Sequence, residues 1–129
     1  MCIKSQLTTY SNGVLTNIIL VSQSGGLEVT NGNTVTMDNV LWYRTPITIL
    51  QEVSAIVKVR NQRDGDPVFA LDGYHILTGS AAIDVGDNAG VTMDVDNQPR
   101  PHQLPDLGAD EFWPPGALIL VYLPVIRLD

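Results

Sequence analysis

The acidic residues of the second half offer the first chemistry to weigh. Asp84, Asp87, Asn88, Asp94, Asp96 and Asn97 fall within fourteen residues. Calcium takes about six to eight oxygen ligands, and carboxylates spaced along a loop can wrap it. A calcium loop here would draw on Asp84, Asp87, Asp94 and Asp96. The EF-hand form of such a loop does not fit. Counted from Asp94, the sixth position is Pro99 where glycine is needed, and the twelfth is Pro105 where glutamate is needed. The same acids also suit turns in which Asp side chains accept from backbone N–H groups.

Other constellations are thinner. Ser80, His75 and Asp84 are near one another in sequence. Thr78-Gly79-Ser80-Ala81-Ala82 lacks the second glycine of a nucleophile elbow, so no catalytic triad is expected. Cys2, His75 and His102 lack the spacing of a zinc centre. Gly25-Gly26 has neither the lysine nor the helix of a phosphate loop. Polysaccharide cleavage needs two carboxylates at a set separation. Glu28 and Glu52 are 24 residues apart, with Asp38 between them and Lys58, Arg60 and Arg63 as the nearest bases. A solvated outer face is the better account of those residues. Trp42, Tyr43 and Tyr74 could stack on sugar rings if they face water, as in a carbohydrate-binding module.

Composition narrows the classes. The chain has 129 residues, 44% of them hydrophobic and 16% charged, which suits one folded domain. Acidic residues outnumber basic ones 14 to 7, for a net charge of −7. That balance argues against nucleic acid or an anionic membrane as partner. The charge is unevenly placed. Residues 1–63 hold five basic and three acidic residues, whereas residues 64–129 hold two and eleven. One cysteine cannot form an internal disulfide. No apolar run approaches the ~20 residues of a transmembrane helix, and Met1–Tyr10 carries no signal-peptide core.

The elements that must position these groups read as short strands. Val, Ile, Leu and Thr runs are broken by Ser24-Gly25-Gly26 and Asn31-Gly32-Asn33. The expected strands are Gly13–Val21, Leu27–Thr30, Thr34–Tyr43, Pro46–Leu50 and Ala55–Val59. Val35, Met37 and Trp42 are expected to face inward, with a bend near Asn39. A repeat underlies the pattern. Asn17, Asn39 and Asn61 are 22 residues apart in succession. Asn17-Ile18-Ile19-Leu20-Val21 aligns with Asn39-Val40-Leu41-Trp42-Tyr43, and Leu15 with Met37. About 20–30 residues is one coil of a β-solenoid. Asparagine suits a bend in each coil because it tolerates the left-handed conformation, and stacked amides could bond one another. The third copy, Asn61-Gln62-Arg63-Asp64-Gly65, has lost its apolar residues.

The second half carries further runs. They are Asp66-Pro67-Val68-Phe69, Asp72-Gly73-Tyr74-His75-Ile76 and Gly79-Ser80-Ala81-Ala82-Ile83-Asp84-Val85-Gly86. Thr92-Met93-Asp94-Val95-Asp96-Asn97-Gln98-Pro99-Arg100-Pro101 follows, and then Asp106-Leu107-Gly108-Ala109-Asp110-Glu111-Phe112. This series resembles the end of choice-of-anchor Q domain proteins, bacterial surface proteins with the pectin-lyase-like right-handed parallel β-helix. The resemblance covers residues 66–112 and implies an extracellular or envelope location. It also implies that many coils precede such an ending. Asn97-Gln98 stands where the family pattern has Gly-Asp.

The expectation is therefore an all-β, right-handed parallel β-helix of about three coils. Residues 1–65 form the coils. Residues 66–129 form an acidic, proline-rich capping loop and an apolar tail in the same domain. Five of the eight prolines fall between Pro99 and Pro115, which excludes central strands there. Tyr74, Ile76, Leu77, Ile83 and Val85 are expected to pack this loop across the end or flank of the coils. Ala117–Ile126 reads as a buried strand or an edge that needs a partner. The expected role is structural and non-catalytic, without a cofactor. An open coil end near Gly13–Val21 would allow self-association. A carbohydrate-binding module, or the remnant of a polysaccharide-acting enzyme, is the alternative.

Overall fold

The computed structural model describes residues 2–3, 10–46 and 49–117. Among them are six strands and no helix. The strands are β1 (Cys2–Ile3), β2 (Asn12–Val21), β3 (Leu27–Val29), β4 (Thr34–Tyr43), β5 (Ile49–Gln51) and β6 (Ile56–Asp64). They form two three-stranded sheets, ordered β1-β3-β5 and β2-β4-β6. Every pairing is parallel. The chain thus alternates between the sheets, and each pass adds one strand to each. The protein is all-β, as its Val, Ile and Thr content suggests.

The 22-residue spacing is the register of the larger sheet. Leu15 pairs with Met37 and Met37 with Val59. The turns keep that step. Gly32 N–H donates to Ser54 O, Thr34 N–H to Ser11 O and Ile56 N–H to Asn33 O. Asn33 is fully buried in its turn. Its Oδ1 accepts from Ser11 N–H, and its Nδ2 donates to Thr30 O and Oγ1.

Asn17, Asn39 and Asn61 all adopt the left-handed conformation, with φ of 56°, 54° and 50°. Each interrupts the pairing of its strand for one residue. One inserted residue shifts the side-chain alternation by one step. In β4, Val35 and Met37 lie in the core before the bend, and Val40 and Trp42 after it. Leu41 then faces the opposite side. The three amides do not stack into a ladder. Asn17 Nδ2 donates to Asp87 O, Asn61 Nδ2 donates to Asp38, and Asn39 Nδ2 is buried without a partner.

The main core joins side chains of both sheets: Leu27, Val29, Val35, Met37, Val40, Trp42 and Ala55. A second core lies on the outer face of the larger sheet. There Leu41 meets Ile76, Ala82 and Leu107, with Ile19, Phe69, Ile83, Val85 and Phe112 around them. Residues 65–117 form this outer layer. They contain only two isolated bridges, Phe69 with Ile76 and Met93 with Pro99. The layer seats closely where side chains are missing. A Cβ on Gly65 would come within 2.5 Å of Ala81 Cβ, and one on Gly86 within 2.8 Å of Pro105 O.

The 66–112 segment lies across the flank of the larger sheet, one of the two places expected for it, and reaches the sheet at Asn17, Ile19, Leu41 and Gly65. Other sequence expectations need correction. Tyr74 and Leu77 do not pin the segment down, being 43% and 46% exposed. The final strand continues through Asp64, past the predicted end at Val59. Of the expected apolar tail, only Ala117 lies within the described residues.

The outer layer is held by a buried polar network in place of strand ladders. Glu111 Oε2 is 3.2 Å from Arg100 Nε, with the two side chains 0% and 7% exposed. Arg100 also donates to Asp106 O and Gly108 O. Glu111 accepts from His102 N–H and Asp106 N–H. Asp106 accepts from Asp84 N–H and Phe112 N–H.

Substitutions at two positions test this description. Asn39→Ala forces a Cβ residue without a turn-forming side chain into the left-handed region and is expected to cost about 1–2 kcal/mol. Asn39→Gly removes both the strain and the orphaned amide, and stays within about 1 kcal/mol of the wild type. Urea unfolding of both variants decides, and equal losses would contradict the account. Glu111→Gln leaves Arg100 buried without its counter-charge and is expected to cost about 3 kcal/mol. A loss below about 1 kcal/mol in the same assay would show that the pair is not what holds the layer.

Candidate functional site

The most developed constellation centres on His75. Asp72 opens the turn before it. Its Oδ1 accepts from Tyr74 N–H at 3.1 Å and His75 N–H at 3.0 Å. Its Oδ2 lies 2.6 Å from His75 Nδ1. The other ring nitrogen, Nε2, meets Asp96 Oδ2. Asp96 comes from a turn organised by Asp94, whose Oδ1 accepts from Asp96 N–H and Gln98 N–H. That turn is tied to the next segment by Val95 N–H donating to Ala109 O. Asp110 follows, buried, with Oδ2 accepting from Ile76 N–H at 2.8 Å. One donor atom each from His75, Asp96 and Asp110 lie within 4.8 Å of one another.

These groups border a cavity of about 590 Å³, also lined by Leu77, Gln98, Phe112 and Trp113. The electrostatics follow from the contacts. Hydrogen bonds to Asp72 and then Asp96 raise the His75 pKa to about 9. The His75 ring and the two backbone donors lower Asp72 to about 2. Burial pushes Asp110 upward against the Ile76 N–H bond. Burial likewise raises Asp106 to about 6, although two backbone donors oppose it. At neutral pH His75 is therefore a cation between two carboxylates when only protons are available.

The sequence-predicted groups are mostly dispersed. Asp84 accepts from Leu104 N–H through Oδ1, and the Asp87 backbone is held by Asn17. Neither joins Asp94 and Asp96 in a common shell, so the four-acid calcium loop is not assembled. Trp42 is fully buried in the main core and cannot stack on a sugar. The Tyr43 hydroxyl donates to Asp66 Oδ2 at 2.7 Å, and Arg44 lies over its ring at 4.9 Å. Of the three aromatics, Tyr74 alone is exposed, tilted against the His75 ring. Glu28 pairs in register with Leu50, while Glu52 Oε2 accepts from Asn31 N–H. Ser80 Oγ accepts from Ala82 N–H, and the His75 nitrogens go to Asp72 and Asp96 instead of a serine.

Asp72 and Asp110 were missed as site residues. The Asp72-Gly73-Tyr74-His75 turn is a local signal that could have found Asp72. Asp110 is 35 residues from His75 in sequence, and no spacing rule connects them. No helix among the described residues is long and apolar enough to cross a membrane.

The charge arrangement fixes a pH profile. A histidine whose pKa rises from 6.5 to about 9 on folding adds stability below 6.5, and that stability is lost as pH rises through 9. Asp106, raised to about 6, loses stability in the same direction between its ordinary value and 6. Asp72, lowered to about 2, weakens the fold only in acid, as pH falls from its ordinary value of 3.8 through 2. Metal-free protein is thus expected to melt highest near pH 5 and to lose stability steadily toward pH 9. His75→Gln should flatten the alkaline limb. Melting curves with equal alkaline slopes in both proteins would refute the assignment.

No protein-family model, curated protein or solved structure matches this chain.

Proposed function

We propose that each pass through the two sheets is one coil of a right-handed parallel β-helix, and that the chain is an end segment of such a helix. Its role is structural, within a cell-surface or secreted protein, and without catalysis of its own. The observation that carries this reading is a polarity gradient along the stacked core-facing positions. At β2 they hold Leu15, Ile18 and Leu20, and at β4 Met37, Val40 and Trp42. At β6 the same columns end in Val59, Gln62 and Asp64.

A terminal coil must meet water on its far side, and polar residues at core-facing positions suit that place. β6 also carries Lys58, Arg60 and Arg63, charges that blunt a sheet edge. β2 has no charged residue along Asn12–Val21, and Leu15, Ile18 and Leu20 are only partly buried. That edge suits another parallel strand in the 22-residue register. A preceding coil or a second copy of this chain would supply it. The resemblance of residues 66–112 to the ends of pectin-lyase-like surface proteins supports the same reading and the envelope location.

Among the described residues no strand pairs with β2 on its side away from β4, and sedimentation velocity at two concentrations about tenfold apart tests by mass action whether that edge takes a further strand. The 129-residue protein is expected to associate as concentration rises, and Ile18→Lys should return it to a single copy. A single-copy species at both concentrations would overturn the proposal that β2 needs a further strand. Incubation with pectic and acidic glycans is expected to release no reducing ends. Their appearance would overturn the non-catalytic role.

A further inference from the structure

We infer that His75 Nε2, Asp96 and Asp110 bind a first-row divalent cation of the zinc type, with open coordination positions facing the adjoining cavity. This inference does not depend on the β-helix reading. Three observations carry it.

The donors are nearly gathered. Zinc ligands sit about 2.0–2.2 Å from the ion, so any two lie within about 4.4 Å of each other. The three donor atoms here lie within 4.8 Å of one another, drawn from three separate turns of the outer layer, and side-chain shifts of about half an ångström bring them onto one ion. The imidazole is also oriented from behind. Asp72 holds Nδ1, and Asp72 is itself fixed by two backbone donors. A carboxylate on the far nitrogen is the usual support of a metal-binding histidine. It sets the tautomer and strengthens the donor.

A further group points to a missing positive charge. Asp94 is 9% exposed, and its Oδ2 is buried without a hydrogen-bond partner. Its charge acts on Asp110, alongside those of His75 and Asp96. Asp72 and Asp96 contact the His75 imidazole, and Asp110 offers an oxygen within 4.8 Å of the other two donor atoms. The arginine ion pairs among the described residues, Arg60 with Asp38 and Arg100 with Glu111, lie elsewhere. A divalent ion compensates the cluster, and a water on that ion is a donor of the kind Asp94 Oδ2 lacks.

The donor set selects the metal. One imidazole nitrogen with two carboxylates suits zinc and its first-row neighbours, whereas calcium prefers an all-oxygen shell. Three protein ligands leave a position open for water or a small oxygen-donor ligand. The cavity lined by Leu77, Phe112 and Trp113 is where that ligand would sit.

The test is titration calorimetry of chelator-stripped protein with zinc, manganese and calcium chlorides, with circular dichroism confirming the fold of each sample. Zinc is expected to bind with one-to-one stoichiometry and to raise the melting temperature, with calcium far weaker. Asp96→Asn alters a side chain whose contact is with His75, and circular dichroism is expected to show the fold retained. It and His75→Gln should weaken zinc at least about tenfold. Bound cobalt should show the visible absorption of a site with a nitrogen ligand, lost in His75→Gln. Absence of stoichiometric zinc binding by folded wild-type protein would overturn the site. So would zinc affinity unchanged in both variants, or calcium preferred over zinc.

Discussion

One left-handed asparagine per pass sets the rest of this structure in place. A strand that simply alternated would present one apolar face and one polar face. Asn39 adds a residue without breaking the strand, and the alternation changes phase. Val35 and Met37 face the core before it, and Val40 and Trp42 after it. The same shift turns Ile19 and Leu41 outward in successive passes, where they form an apolar strip on the far side of the sheet. That strip has to be covered, and residues 66–112 cover it. The bend is thus the reason the protein has two cores, one between its sheets and one outside them.

The covering layer solves a different problem. Four prolines within residues 66–112 and frequent turns deny it a strand ladder, yet its backbone N–H groups still need acceptors. The acidic side chains supply them. Asp66 accepts from Val68 N–H, Asp72 from Tyr74 and His75, Asp94 from Asp96 and Gln98. Asp106 accepts from Asp84 and Phe112, and Glu111 from His102 and Asp106. The concentration of negative charge after residue 64 is therefore a consequence of irregular backbone. Burial of Asp106 and Asp110 raises their pKa values, which marks the cost of that solution. Arg100 offsets it for Glu111 with a buried ion pair.

How far this could be read from the sequence depended on the range of the signal. The 22-residue register, the bend at Asn39 and the inward Val35, Met37 and Trp42 are local or periodic features, and periodicity locates them. The continuation of β6 through Arg63 and Asp64 was obscured because its side chains are polar. Pairing to β4 overrides that local signal. The seating of the outer layer was partly legible. The small residues at Ala81 and Ala82 pack as their size suggests, but Tyr74 and Leu77 turn outward. The His75 cluster was not legible as a unit. Its members come from turns at residues 72–75, 94–96 and 110, and only the folded layer brings them together.

The acids around His75 are set apart from the others by where their oxygens end. Most acids of the outer layer terminate on backbone N–H groups, which closes their account within the fold. Asp72 does so with Oδ1 and spends Oδ2 on the imidazole. Asp96 meets the opposite nitrogen, Asp110 stands within reach of both, and Asp94 keeps an oxygen buried and unpartnered. Asp110 also caps Ile76 N–H, but backbone capping explains neither the contact of Asp96 with His75 nor the unpartnered Asp94 oxygen. An excess of carboxylate beyond what the turns require, gathered on one oriented imidazole beside a cavity, is the feature on which the inferred cation site rests.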